Sequence, residues 1–373
     1  MMQHILKRLA FFSLVTLLMS CGGSDEETER FEVLDWDADE ERYLVQESSI
    51  ETLEDRREVS GEIAYLRGGG KLEAGTSEPE TREEYEDALR VRGDEDPRAR
   101  WEVDDGVVVG WDYQSFLMYT LYHHLEKSAI YFESIGVERD VVGRMPVYYA
   151  PEMNLGFIPI NVFTDNAAYA FTLDAFLVPP QFLSRDLPLA ANRGVIVHEY
   201  SHAVFNRVVH DDQRVPDYLF EEWEDPYVNR MNALNEGVAD IFGALAVQEP
   251  NFIEPSFSEE TFDVDRDLTK EREYTEDLEE TLEQSADAFN PYKIGSVIAS
   301  TVWALRDAVD DDEALGSAVI DALEDFAEVE PEYTLADFFN PFYDHLPSHA
   351  QDEACDIFEE RLTAISEELT CVQ

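Results

Sequence analysis

Apolar and polar positions change their rhythm near residue 195. Before it, Met145–Ala150, Ala168–Leu173 and Ala175–Val178 are short apolar or alternating runs that predict strands, with breaks at Asn154-Leu-Gly156 and Pro179-Pro180. Further upstream, order is expected to begin at Val107–Trp111. Phe116, Leu117, Leu121, Leu125 and Ile130 then recur at helical spacing, with Gly136 as the stop. From Val195 onward the period is helical. Helices are predicted to about Val209, over Met231–Val247, over Ile294–Val309, over Glu313–Phe326 and over Gln351–Glu368. Residues 21–102 show little apolar periodicity. Asp25–Glu29 and Asp37–Glu41 are acidic, and Gly68–Gly70 and Glu78–Glu86 look like linker, with a short ordered piece at Ile63–Leu66. The expected organisation is a leader at 1–20, a mostly flexible acidic tether or pro-segment remnant at 21–102, an α/β lobe at 103–209 and a mainly helical lobe at 210–373. That is an α+β chain in two lobes, without internal repeats.

The 373 residues carry 44 % hydrophobic content, enough for a sizeable core. The net charge is -56, from 83 acidic against 27 basic side chains. Such a field repels phosphates, so nucleic acid is excluded as a partner. It suits a solvated surface, or one adapted to salt that screens the self-repulsion.

At the N-terminus, Lys7 and Arg8 precede a short apolar run, Leu9–Met19, which reads as a targeting segment rather than a membrane span. Leu18-Met19-Ser20-Cys21 resembles a bacterial lipobox. That resemblance implies lipidation of Cys21, an exported lipoprotein and, with Gly22 following, the outer membrane. The remaining cysteines, Cys355 and Cys371, form an even pair, and in an oxidising compartment a disulfide between them is expected.

The densest chemistry lies in His198-Glu199-Tyr-Ser-His202. Two histidines four apart leave one helix face and can hold one metal ion, while Glu199 can take a proton from a water on it. Adjacent residues diverge on a helix, so His123 and His124 read as core or surface positions rather than a metal pair. A hydrolytic site needs a third ligand. The three-histidine continuation fails at Phe205 and Val208. Downstream, Asn235-Glu236-Gly-Val-Ala-Asp240-Ile-Phe-Gly243 places Glu236 and Asp240 on one face of a helix that packs through Leu234, Val238, Ile241 and Phe242.

These two segments together resemble the thermolysin-like zinc metallopeptidases, over roughly Val107–Val309. The resemblance implies the two-lobed fold of that family, with His198, His202 and Glu236 as Zn2+ ligands. It makes Glu199 the general base and Asp240 the partner of a ligand histidine. By the same likeness Tyr227, nine residues before Glu236, stabilises the oxyanion. Asn166 and Ala167 belong to an edge strand that pairs with extended substrate, and Arg266 holds a substrate carbonyl. Two departures stand out. The 34-position interval from His202 to Glu236 is long for the family, and Tyr292 occupies the place where relatives carry a histidine. The implied activity is membrane-anchored metalloendopeptidase, acting as a monomer on peptide or protein substrates. The competing readings are a zinc-binding or structural lipoprotein that keeps the fold without cleaving, and a processing peptidase of narrow specificity. The acidic loops could hold Ca2+, yet no D-x-D-x-D-G loop is present.

Overall fold

In a computed structural model of the chain, the described residues are 29–74, 81, 83–84, 89–95, 97–154, 166–181, 186–210, 225–257, 265–285, 288–327 and 333–372. The leader, Cys21 and the connection at 211–224 lie outside them. The architecture is mixed α/β, with strands concentrated before residue 178 and helices after it. No helix among the described residues is long and apolar enough to cross a membrane.

The described residues of the segment expected as a flexible tether, chiefly 29–74 and 89–95, are built into the fold. Strands β1 (Arg30–Asp37) and β2 (Arg42–Ser49) form a hairpin, and β1 also pairs in parallel with β8 (Val107–Gly110), which is followed outward by β7 (Trp101–Asp104). In β1, Phe31, Val33 and Asp35 alternate onto the buried face. Phe31 rests on Tyr119 with ring centroids 5.3 Å apart. The second sheet is built from β3 (Leu53–Asp55), β4 (Ser60–Gly61), β5 (Ala64–Ala74), β9 (Met145–Tyr149), β11 (Ala168–Ala170) and β12 (Ala175–Val178) in the order β11-β12-β9-β5-β4-β3, with β6 (Leu89–Glu95) and β10 (Glu152–Asn154) also pairing β5. Its long central strand β5 (Ala64–Ala74) contains Gly68–Gly70, the presumed linker. Glycine is required at 68, where a Cβ would lie 2.7 Å from the Cα of Pro97. The expected strands appear as β9 (Met145–Tyr149), β11 (Ala168–Ala170) and β12 (Ala175–Val178). Among the described residues β11 forms an edge, paired only with β12.

Helix α1 (Tyr113–Ser134) packs beneath β1, capped by Asp112, whose side chain accepts the Ser115 N–H. The other principal helices are α2 (Arg193–Val209), α3 (Asp225–Val247), α4 (Pro291–Trp303), α5 (Asp312–Phe326), α6 (Ala336–His345) and α7 (Gln351–Arg361). α3 makes its most extensive contacts with α4 and α2. The α3–α4 crossing is close because Gly237 faces Gly295. A Cβ on Gly237 would stand 2.8 Å from the Gly295 carbonyl oxygen and 2.9 Å from Ile298. This crossing lies directly beside Glu236 and sets Tyr292, three residues ahead of Gly295, against the same spot.

The C-terminus departs from expectation in two ways. α6 was not anticipated, and it forms despite Pro341 because Phe338, Phe339 and Phe342 bury completely with Phe358 of α7. Cys355 and Cys371 are free thiols rather than a disulfide. Burial and a hydrogen bond with Cys355 push the Cys371 thiol up to about 12.

Candidate metal-dependent active site

Helix α2 begins where Asn192 caps it. The Asn192 side chain accepts the Val195 N–H and donates to the Phe252 carbonyl and the Ser256 hydroxyl, pinning the helix start to the following loop. Tyr43 of β2 donates to the same amide oxygen at 2.9 Å, so the N-terminal sheet docks on the mouth of the motif helix. One turn further, His198 and His202 face α3 across a small cavity of about 140 Å³.

Three donor atoms converge there. His198 Nε2 lies 3.1 Å from His202 Nε2 and 3.4 Å from Glu236 Oε2, and His202 Nε2 lies 3.7 Å from that oxygen. The other ring nitrogens fix the tautomers. His198 Nδ1 faces Asp240 Oδ1 at 3.1 Å, and His202 Nδ1 faces the Asn235 side-chain oxygen at 2.9 Å. Both Nδ1 atoms therefore carry hydrogen, and both Nε2 lone pairs point inward. Glu236 Oε2 is buried and accepts no hydrogen bond. With both rings neutral these atoms would repel one another until a proton on His198 or a metal cation joined them, and the three residues could hold a metal ion.

The supporting charges are ordered behind the donors. Asp240 is fully enclosed, yet its carboxyl is held at about 2: burial opposes ionisation, and Arg266 and His198 overcome it. Arg266 Nε donates to Asp240 Oδ2 at 3.1 Å, its Nη2 donates to Oδ1, and its guanidinium lies over the Tyr292 ring at 4.5 Å. Against the pull of burial, Asp240 and Glu236 raise His198 to about 9. Glu236 is held below its usual range by His202 and His198, again against burial. Burial and the nearby Glu236 carboxylate push the Tyr292 hydroxyl well above its usual range, so it stays protonated and remains a donor.

Glu199 borders the cavity, and its Oε2 accepts the backbone N–H of Tyr169 at 2.8 Å. Tyr169 lies opposite Phe176 of β12 and turns its N–H away from that strand. The bond therefore ties the carboxylate to the edge strand β11 at the rim of the cavity. Asn166, Ala167, Ala168 and Tyr169 line one wall, and Val195, Ile253 and Phe257 form an apolar one.

His198, Glu199, His202, Glu236, Asn166, Ala167, Arg266 and Tyr292 thus surround one cavity, with Asp240 behind His198. Tyr227 does not line it. Its ring packs near Tyr333, 6.3 Å between centroids, and beside the Arg230 guanidinium. The family likeness put it near the site, but these neighbours turn it away. Asn235 was not assigned a role from sequence, although its place beside Glu236 on α3 was the available signal. His123 and His124 do not diverge as expected, because each uses a different nitrogen to reach one carboxylate. His123 Nε2 is 2.9 Å and His124 Nδ1 3.7 Å from Asp35. These three residues could also offer a metal ligand atom each, but the Arg193 guanidinium already stands 4.0 Å from Asp35 and balances its charge.

No protein-family model matches the chain, and no curated protein matches it.

Proposed function

We propose that this chain is a zinc-dependent peptidase of the thermolysin-like type, two-lobed about the α2–α3 cleft and anchored through a lipid at Cys21. The observation that supports it most is the convergence of His198 Nε2, His202 Nε2 and Glu236 Oε2 on one buried spot. Bonds of about 2.0–2.1 Å in a tetrahedral set imply ligand separations of about 3.3 Å, and the three separations, 3.1, 3.4 and 3.7 Å, bracket it. Zinc held there supplies a Lewis acid and an acidified water. Glu199 takes a proton at Oε1 while Tyr169 N–H holds Oε2 in place, and it returns that proton to the leaving amine. Tyr292 donates to the developing oxyanion. Arg266 and Asp240 keep His198 in the tautomer that presents Nε2. Extended substrate pairs with the open edge of β11, and the wall of Val195, Ile253 and Phe257 favours cleavage beside an apolar side chain.

The displacement of Tyr227 favours one rival, a zinc-binding lipoprotein that retains the architecture but does not cleave. Incubation with a mixed peptide library, with and without chelator, separates the two. Cleavage abolished by chelator and restored by zinc is expected. Glu199→Ala should keep the metal and lose about 10²–10⁴-fold in kcat. Chelator-insensitive cleavage, or full activity in that variant, refutes the assignment.

A further inference from the structure

The cleft depends on an edge strand of only three residues, β11, which among the described residues has a paired neighbour on one side alone. Its central residue is held at both ends. The Tyr169 N–H binds Glu199, and the Tyr169 hydroxyl donates to Asp174 Oδ1 at 2.8 Å. Asp174 closes the turn between β11 and β12, where its N–H bonds the Phe171 carbonyl and its φ is +48°. Arg207 Nη2 meets both Asp174 oxygens at 2.6 Å, and Arg207 Nη1 lies 3.4 Å from the Tyr169 hydroxyl. Arg207 stands on α2 itself, eight residues beyond Glu199, so the contacts form a closed circuit from the motif helix through the edge strand and back. The Arg207 side chain is only 11 % exposed, and a charge so enclosed requires a counter-charge, which Asp174 supplies. Neither Arg207 nor Asp174 lines the cavity.

We propose that Arg207 is a positioning residue: through Asp174 and the Tyr169 hydroxyl it sets the separation between the substrate-pairing edge of β11 and the Glu199 carboxylate. The peptidase function is its premise. Losing the brace frees β11 to shift relative to α2, and extended peptides that need several pairs along the edge lose most. A short blocked dipeptide, held mainly at the cavity, loses little.

The experiment compares the full-length, zinc-loaded protein with Arg207→Gln, Asp174→Asn, their double variant and Arg207→Lys. Steady-state kinetics on an extended peptide and on a blocked dipeptide are combined with amide exchange of the 166–170 segment and metal content. The first three variants should each lose about tenfold in kcat/KM on the extended peptide, carried mainly in KM. The dipeptide should change less than about twofold, exchange at 166–170 should accelerate, and zinc content should stay constant. The double variant should resemble either single one, because each breaks the same circuit. Arg207→Lys keeps the charge but not the two-pronged contact and should fall between, so it decides the matter even if Arg207→Gln folds poorly. Equal losses on both substrates, unchanged exchange, or effects that multiply in the double variant overturn the proposal. A wild-type protein that cleaves neither substrate defeats the peptidase premise instead, and the exchange comparison still judges the brace.

Discussion

Replacing Asp240 by asparagine removes a charge on which two other buried groups depend. Asp240 is 1 % exposed and accepts from His198 Nδ1, from Arg266 Nε and from Arg266 Nη2. An asparagine of the same size keeps one acceptor oxygen but turns an amide N–H₂ toward one of these donors. It also takes from the enclosed Arg266 guanidinium the carboxylate that it bonds through two nitrogens. Breaking such a pair from one side costs about 3–5 kcal/mol. The loss should appear in urea unfolding of the metal-free protein as a lower midpoint at unchanged slope. Metal affinity should fall separately, by about 10–100-fold, because His198 loses the group that orients it. The double variant Asp240→Leu with Arg266→Met removes both charges, and its stability should return to within about 1 kcal/mol of wild type while metal affinity stays low. That divergence is the test. If Asp240→Asn unfolds within 1 kcal/mol of wild type and binds zinc equally, the Asp240–Arg266–His198 chain neither stabilises the core nor orients the ligand.

In the metal-free protein His198 has its pKa raised to about 9, with Asp240 and Glu236 outweighing burial. A raised histidine contributes stability that is complete below its unfolded pKa of about 6.5 and is lost as pH climbs through the folded value. Metal-free stability should therefore decline between about pH 6.5 and 9, while zinc, which displaces that proton, binds up to about tenfold tighter per pH unit. A flat affinity profile across that window, read by competition with a chelating dye, contradicts this. Tyr292→Phe should retain zinc and lose about 10²-fold in kcat; unchanged turnover removes the hydroxyl from the mechanism. Gly237→Ala should destabilise by about 1–3 kcal/mol, since its Cβ would meet a backbone carbonyl of α4 rather than a yielding side chain. Wild-type stability by denaturant titration would show that the crossing has slack.

The helices and the residues that face the cavity were readable in the sequence because their information is local. Four-residue spacing fixes the shared face of His198 and His202, and the same spacing aligns Glu236 with Asp240. The N-terminal strands were not readable because their information is remote. In β1 the alternation of Phe31 and Val33 is continued by a carboxylate, Asp35, whose partners His123 and Arg193 come from α1 and α2. Gly68–Gly70 has the composition of a linker, and only the approach of Pro97 to Gly68 and the positive φ of Gly69 and Gly70 explain glycine in a central strand. Tyr227 shows the reverse failure. Its position along α3 follows from spacing, but its direction is decided by Tyr333 and Arg230, far away in the chain or unremarkable within it.

Because β1 begins at Arg30 and is paired on both sides, little chain remains between the fold and residue 21. Gly22–Glu29 is eight residues, and even a fully extended segment of that length spans at most roughly 30 Å. With the proposed lipid at Cys21, this is a short leash, comparable to the diameter of a small domain. The cleft would then patrol a thin shell above the bilayer rather than the bulk phase. Polypeptides presented close to the membrane would be encountered far more often than freely diffusing ones.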